Sequence, residues 1–240
     1  MKYELETIPV WDAYHAESEC PLCLLQRKAE QDFVRFYVGH SVMVPEMRVQ
    51  VNDVGFCPAH FPMLLEGGNR LGLALITHTH IGELRRKLER RLGSGKTGAA
   101  LKREVAGFDA FLTQQLERCL ICERLDDRCK RYSYTIVHLW RHEADFRQAF
   151  NGSRGICLDH VRGLLAMAVE TLRAAPLREF VGDLVQVQQR SWERLERELL
   201  AFTGKFDYRA AGPPSPAAKQ SVPAAIQKLT GADVARETPP

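Results

Sequence analysis

The chain has 240 residues, enough for one or two domains with a proper core. Hydrophobic residues make up 45% and charged residues 26%, the balance of a soluble globular protein, and a formal charge of +3 does not argue for nucleic acid as a partner. No apolar run approaches the roughly 20 residues of a membrane helix. The N-terminus, "MKYELETIPVWDAYHAESEC", carries acidic residues early and lacks the apolar core of a secretory signal. The expected setting is cytoplasmic, with no membrane. In such a reducing compartment, cysteine pairs at fixed spacing point to metal or redox chemistry rather than structural disulfides.

The first predicted element follows "ESECPLCLLQRK", which holds Cys20 and Cys23. Residues 20–42 have no proline after Pro21, and Leu25, Ala29, Phe33 and Phe36 fall at i, i+4, i+8 and i+11 on one helical face. Cys57 and His60 come next, in "VNDVGFCPAHFPMLL". From 70 to 92, Ile81, Leu84, Leu88 and Leu92 mark a second helix, ending in the basic "LRRKLERRL". "GSGKTGAA", 93–100, reads as a linker: a phosphate-binding loop would need glycine at Arg90 and a preceding strand. Leu101, Val105, Phe108, Leu112 and Leu116 form a third stripe running into Cys119 and Cys122, and "FNGSRGICLDHVRGLL" then supplies Cys157 and His160. A long helix starting near Pro176 carries Trp192, Leu195, Leu199 and Phe202. Residues 210–240 are rich in Pro and Ala with almost no large apolar side chains, the composition of a disordered tail; a short amphipathic turn over Ala224–Leu229 is the one exception considered. No segment alternates with the two-residue period of a strand. The expected fold is all-α.

An internal repeat organises the chain. Cys20, Cys23, Cys57 and His60 are echoed by Cys119, Cys122, Cys157 and His160. Each set reads C-x2-C, a gap of 33 or 34 residues, then C-x2-H. Arg48, Asn52, Gly55 and Leu64 have counterparts in Arg147, Asn151, Gly155 and Leu164 at an offset of 99 or 100. Six of the seven cysteines lie on the repeat, leaving Cys129 over. The chain is therefore expected to hold two tandem helical units, 1–92 and 101–209, each with a CxxC/CxxH site.

Zinc takes four ligands tetrahedrally, with Cys thiolate and His imidazole as its usual structural set. Two residues between ligands let the chain curl around one ion, and the distant second pair completes the shell. Pro21 and Pro58 suit first helical positions, and Gly55 and Gly155 suit tight turns near the metal. Each pair is thus expected at a helix N-terminus, where thiolate is favoured. Two zinc ions per chain is the expected content, with an iron–sulfur cluster as the alternative. A redox dithiol leaves Cys57 and His60 unexplained, and buried cysteines acting only as small hydrophobes leave the repetition unexplained. The spacing leaves open whether ligands pair within a unit or across units. Four protein ligands leave no position for substrate, and no Ser/His/Asp or paired-carboxylate arrangement can be assigned. The expectation leans away from an enzyme and towards a protein that acts by binding an as yet unspecified protein partner.

Smaller features remain. His78 and His80 lie two apart on a helix, so they point to different sides and do not form a ligand pair. Glu83 and Glu89 interrupt the basic stretch. Arg48 and Arg147 are read as braces for the ligand loops. "MKYELETIPVWDAY", "CPLC", "VPEMR", "GFCPAHF", "CLIC", "GICLDH" and "KFDYR" together resemble the DUF6062 family of bacterial proteins, over roughly Met1 to Arg209. That resemblance implies one coherent chain in a bacterial cytoplasm and assigns no activity or ligands.

Overall fold

The computed structural model describes residues 5–92, 95–204, 215–232 and 234. Helix makes up 85% of it, and no strand occurs among the described residues. The elements are α1 (Thr7–His15), α2 (Pro21–Val38), a 3-10 turn (His40–Met43), α3 (Pro45–Val54), α4 (His60–Glu66), α5 (Arg70–Leu92) and α6 (Gly98–Glu117), followed by α7 (Leu120–His142), α8 (Ala144–Gly152), α9 (Leu158–Thr171), α10 (Ala174–Gly204) and α11 (Pro216–Thr230). None of these helices is long and apolar enough to cross a membrane.

The helices divide into two compact units, one from Met1–Arg27 with Arg128–Pro240 and the other from Lys28–Asp127. These are not the consecutive halves expected from the repeat. The boundaries fall inside α2 and α7, so the first unit is discontinuous in sequence. The reason lies in the ligand pairing described below.

In the first unit, Phe146, Phe150 and Phe180 are fully buried. Trp11 and Tyr14 of α1 pack edge-on to Phe146, with centroids 5.1 and 4.9 Å away, and Trp140 meets Phe180 at 5.0 Å. Each such pair adds about 1 kcal/mol beyond its buried area. Asp183 of α10 ties three elements together. It accepts hydrogen bonds from Trp140 Nε1 at 2.9 Å, Arg147 Nε at 2.7 Å and Asn151 Nδ2 at 3.4 Å. Arg147 thus braces α8 against α10 rather than a ligand loop, and its guanidinium also lies 4.5 Å from the Trp140 ring. The buried face of α10 runs Phe180, Leu184, Val187, Ser191 and Leu195, while Trp192 is exposed.

The second unit packs Tyr37 against Phe56 at 5.1 Å and Phe56 against Phe61 at 5.6 Å, above Val51, Leu64 and Ile76. Arg124 closes this cluster with its guanidinium 5.3 Å from the Tyr37 ring.

The disordered tail expected over 210–240 contains an ordered helix. Ser215 caps α11 by accepting the Ala218 N–H at 3.2 Å, Pro216 occupies its first turn, and Gly231 ends it at φ 81°. Its buried face is made of Ala218, Ser221 and Lys228. "KFDYR" lies outside the described residues, as do 210–214, 233 and 235–240. In the linker, α6 already starts at Gly98, and α5 rather than a strand precedes it.

Candidate metal centres

Three of the four ligand pairs open a helix. Cys20 and Cys119 directly precede α2 and α7, and Cys157 caps α9. The fourth differs from expectation: Pro58 lies in a turn, and α4 starts at His60 itself. The Sγ of Cys20 accepts the Cys23 N–H at 3.3 Å, the local curl that C-x2-C spacing allows. Gly55 and Gly155 do take left-handed conformations, at φ 73° and 86°. What approaches them is not the ligand group. A Cβ on Gly55 would lie 2.9 Å from His80 Nε2, and one on Gly155 would lie 2.7 Å from Gln188 Oε1.

The eight residues form two groups, and the pairs are exchanged. Cys20 and Cys23 meet Cys157 and His160; Cys57 and His60 meet Cys119 and Cys122. Each C-x2-C pair thus joins the C-x2-H pair expected of the other unit, which corrects the expectation of one self-contained site in each half. The backbone explains the pairing. The Leu120 N–H at the start of α7 donates to the Gly55 carbonyl at 3.2 Å, docking the turn before Cys57 on the helix that carries Cys119 and Cys122. In the other group Pro21 has no N–H to give. There the buried Lys228 ammonium donates to the carbonyls of Glu19 and Arg154, joining the turn before Cys157 to the start of α2.

Within each group the donor atoms lie within 4.8 Å of one another. His160 Nδ1 is 3.5, 3.4 and 3.1 Å from the sulfurs of Cys20, Cys23 and Cys157. His60 Nδ1 is 3.1, 3.3 and 3.4 Å from those of Cys57, Cys119 and Cys122. The sulfurs of Cys23 and Cys157 are 3.5 Å apart, and those of Cys57 and Cys122 are 3.9 Å apart. A tetrahedral zinc with ordinary bond lengths separates sulfurs by about 3.8 Å and sulfur from nitrogen by about 3.6 Å. The residues therefore fit a single ion in each group. No disulfide competes, since all seven cysteines are free thiols.

The electrostatics of the donors point the same way. Burial pushes the Cys119 thiol up, but hydrogen bonds from His60 and from the backbone of Cys122, Cys57 and Ile121 outweigh it and hold it at about 6. Hydrogen bonds to Cys119 and Glu30 raise His60 to about 10 against its burial. Burial lowers His160, yet Cys129, Cys157 and Cys20 together lift it to about 12. Cys157 is driven far down by its hydrogen bonds to Cys20 and Cys23, while Cys23 is driven far up, first by Cys157. Each cluster of sulfurs draws positive charge inward, and a divalent cation supplies that charge more compactly than scattered protons.

Around the ligands are residues that spacing did not reveal. The Nε2 of His60 lies 3.0 Å from a Glu30 carboxylate oxygen. Cys129 is the first of the groups that raise His160 against its burial. Gln188 brackets Ile156, accepting its N–H at 2.7 Å and donating to its carbonyl at 2.8 Å. His80 Nδ1 meets the Asn52 carbonyl at 3.2 Å, so it supports the Gly55 turn, and it is in neither Cys/His group. The only polar-pair signal available was the register of Glu30 and Cys129, each ten residues after the first cysteine of a C-x2-C pair.

The fold and these groups define an all-helical protein with two Cys3His clusters, each able to hold a metal ion. The chain matches the DUF6062 family, described as a family of unknown function, over residues 1–236, and it belongs to that family. No curated protein and no solved structure matches it.

Proposed function

We propose that the chain is a zinc protein of the reducing cytoplasm that arose by internal duplication, holds two structural ions through exchanged ligand pairs, and acts by binding another protein. The observation that carries the metal reading is the convergence of three sulfurs and one imidazole nitrogen within 4.8 Å in each group. Four donors this close converge on one ion. An iron–sulfur cluster distributes its ligands over several irons with sulfides between them, so it fits the spacing less well. Cys20, Cys23, Cys57, His60, Cys119, Cys122, Cys157 and His160 all serve as ligands in this reading. The shells are closed, which suits a structural role rather than catalysis. Structural zinc supplies about 10–16 kcal/mol of apparent binding energy in small peptides, on the scale of a whole domain's stability.

Metal analysis and a visible spectrum of protein purified without oxygen test this. Two zinc per chain and no colour support it; iron with acid-labile sulfide and a brown colour would replace it with the redox alternative.

A further inference from the structure

We propose that the hairpin of α5 and α6 is a docking arm for an acidic, amphipathic helical segment of a partner protein. The inference rests on the interaction role proposed above and names its surface, but it does not depend on which metal is bound.

α6 is a 20-residue helix with no buried residue, and α5 buries only Gly72 and Ile76, both near its start. Leu101, Val105, Phe108, Leu112 and Leu116 recur at i, i+4, i+7, i+11 and i+15, which keeps them on one face. Of these, Leu101, Val105, Leu112 and Leu116 are 38%, 51%, 40% and 72% exposed. The stripe is not the face that meets α5. Contact is made on another flank: Arg91 donates to the Gly107 carbonyl at 3.4 Å, and Lys87 and Arg91 lie 5.3 and 5.0 Å from the centre of the Phe111 ring. A surface helix that keeps an apolar stripe in water without a structural use for it marks a contact site.

Charge says what covers it. Between Glu83 and Glu104 the sequence holds eight Lys and Arg against three acids, with Glu83 pairing Arg86 and Arg90, so the tip keeps a positive excess. Arg90, Arg91, Lys96 and Arg103 line a cleft of about 660 Å³ at this tip, together with Glu104, which pairs with Lys96. The complement is a helix with Leu-type residues on one face and Glu or Asp towards one end. A nucleic acid would satisfy the cations but leave the four aliphatic side chains in water. A second copy of this chain would bring another basic tip rather than an acidic one.

The test uses the full zinc-loaded chain and a labelled 20-residue peptide with leucines at helical spacing and glutamates clustered at one end. Controls are the same peptide with its leucine positions scrambled and a 20-base-pair DNA duplex. The expected result is micromolar binding of the patterned peptide that weakens with salt. Val105→Glu with Leu112→Glu should weaken it at least tenfold, as should Arg90→Glu with Arg103→Glu. All four positions are exposed, so the variants retain the fold. Equal or tighter binding of the scrambled peptide or the duplex would overturn the proposal. So would a wild-type dimer that Val105→Glu with Leu112→Glu makes monomeric. Zinc is measured on the same sample. Two ions with no peptide binding overturns the docking arm alone, and peptide binding without zinc overturns the metal reading alone.

Discussion

The Nε2 of His60 lies 3.0 Å from the Glu30 carboxylate, so the imidazole whose Nδ1 faces three sulfurs is oriented from behind by an acid. Carboxylate–histidine–metal triads fix the ring and raise its basicity. Adding the offset of 99 to Glu30 gives Cys129, the first of the groups that raise His160 against its burial. The leftover cysteine therefore occupies on α7 the sequence register that Glu30 occupies on α2.

Glu30→Ala should weaken metal binding 10–100-fold in the group of Cys57 and leave the group of Cys157 unchanged. Cys129→Ala should do the reverse. Titrating a zinc chelator against each variant, with cobalt absorption marking occupancy of each site, checks both. An equal effect on both ions would remove the orienting role.

The start of each C-x2-C helix offers a cleaner contrast. Proline is well suited to a first helical position, so Leu120→Pro leaves α7 able to form while it removes the N–H that bonds the Gly55 carbonyl and trims a side chain that is 6% exposed. The expected cost of the lost bond and the lost packing together is about 3 kcal/mol, roughly 6–12 °C in Tm for a chain of this size. Lys228→Met should cost about 3 kcal/mol, because it leaves the Glu19 and Arg154 carbonyls and the Glu19 carboxylate without their buried cation. A Cβ on Gly231 at the end of α11 would stand 3.6 Å from Cys157 Sγ. Lys228→Met should therefore also speed metal loss from the group of Cys157 and spare the other group. Thermal melts and chelator-driven release rates measure the two effects.

These contacts show what the sequence made legible. The eight ligand-type residues could be read because metal chemistry fixes the two-residue spacing within each pair. Which pairs meet could not, because the pairs at Cys57 and Cys157 have the same C-x2-H spacing and either could complete the shell begun by Cys20 and Cys23. In the fold that pairing is accompanied by the bond from the Leu120 N–H to Gly55 and by the bonds from the Lys228 ammonium to Glu19 and Arg154. α11 escaped because Pro216 and Pro223 resemble a linker, and its buried face is built from Ala218, Ser221 and Lys228 rather than from large apolar residues. On α10 the buried stripe includes Gln188 and Ser191, which face the Gly155 turn, so apolar spacing alone points to Trp192, which is exposed. The α6 stripe was periodic and helical, as read, and yet covers no core.

Asp183 gives the pH dependence its clearest sign. Burial raises its pKa, but the hydrogen bonds from Arg147, Trp140 and Asn151 outweigh this and hold it below the ordinary carboxylate value. The stability this group contributes is fully present above the unfolded value of about 3.9 and is lost as pH falls through the lower folded value. Asp183→Asn should cost about 2 kcal/mol at neutral pH. The gap between wild type and variant should close on acidification below about pH 4. Both proteins carry the same ligand sets, so acid loss of metal cancels in the difference. Denaturant unfolding across that range reads it, and a gap independent of pH would assign the cost to packing instead.

Exchanged pairing makes a prediction that pairing within each repeat reverses. Cys20 and Cys157 belong to one group, so Cys20→Ser with Cys157→Ser should lose one ion, no more than either single change loses. Cys20→Ser with Cys57→Ser strikes both groups and should lose both ions. If each repeat closed on itself, the first double variant would lose two ions and the second only one. Stability should follow the same pattern. Two changes within a shared centre are strongly non-additive, because the second acts on a site already empty, whereas changes in separate centres add. Zinc content and thermal melts of the two double variants beside their three parents decide the question, and the ligand spacing on the chain has no influence on the answer.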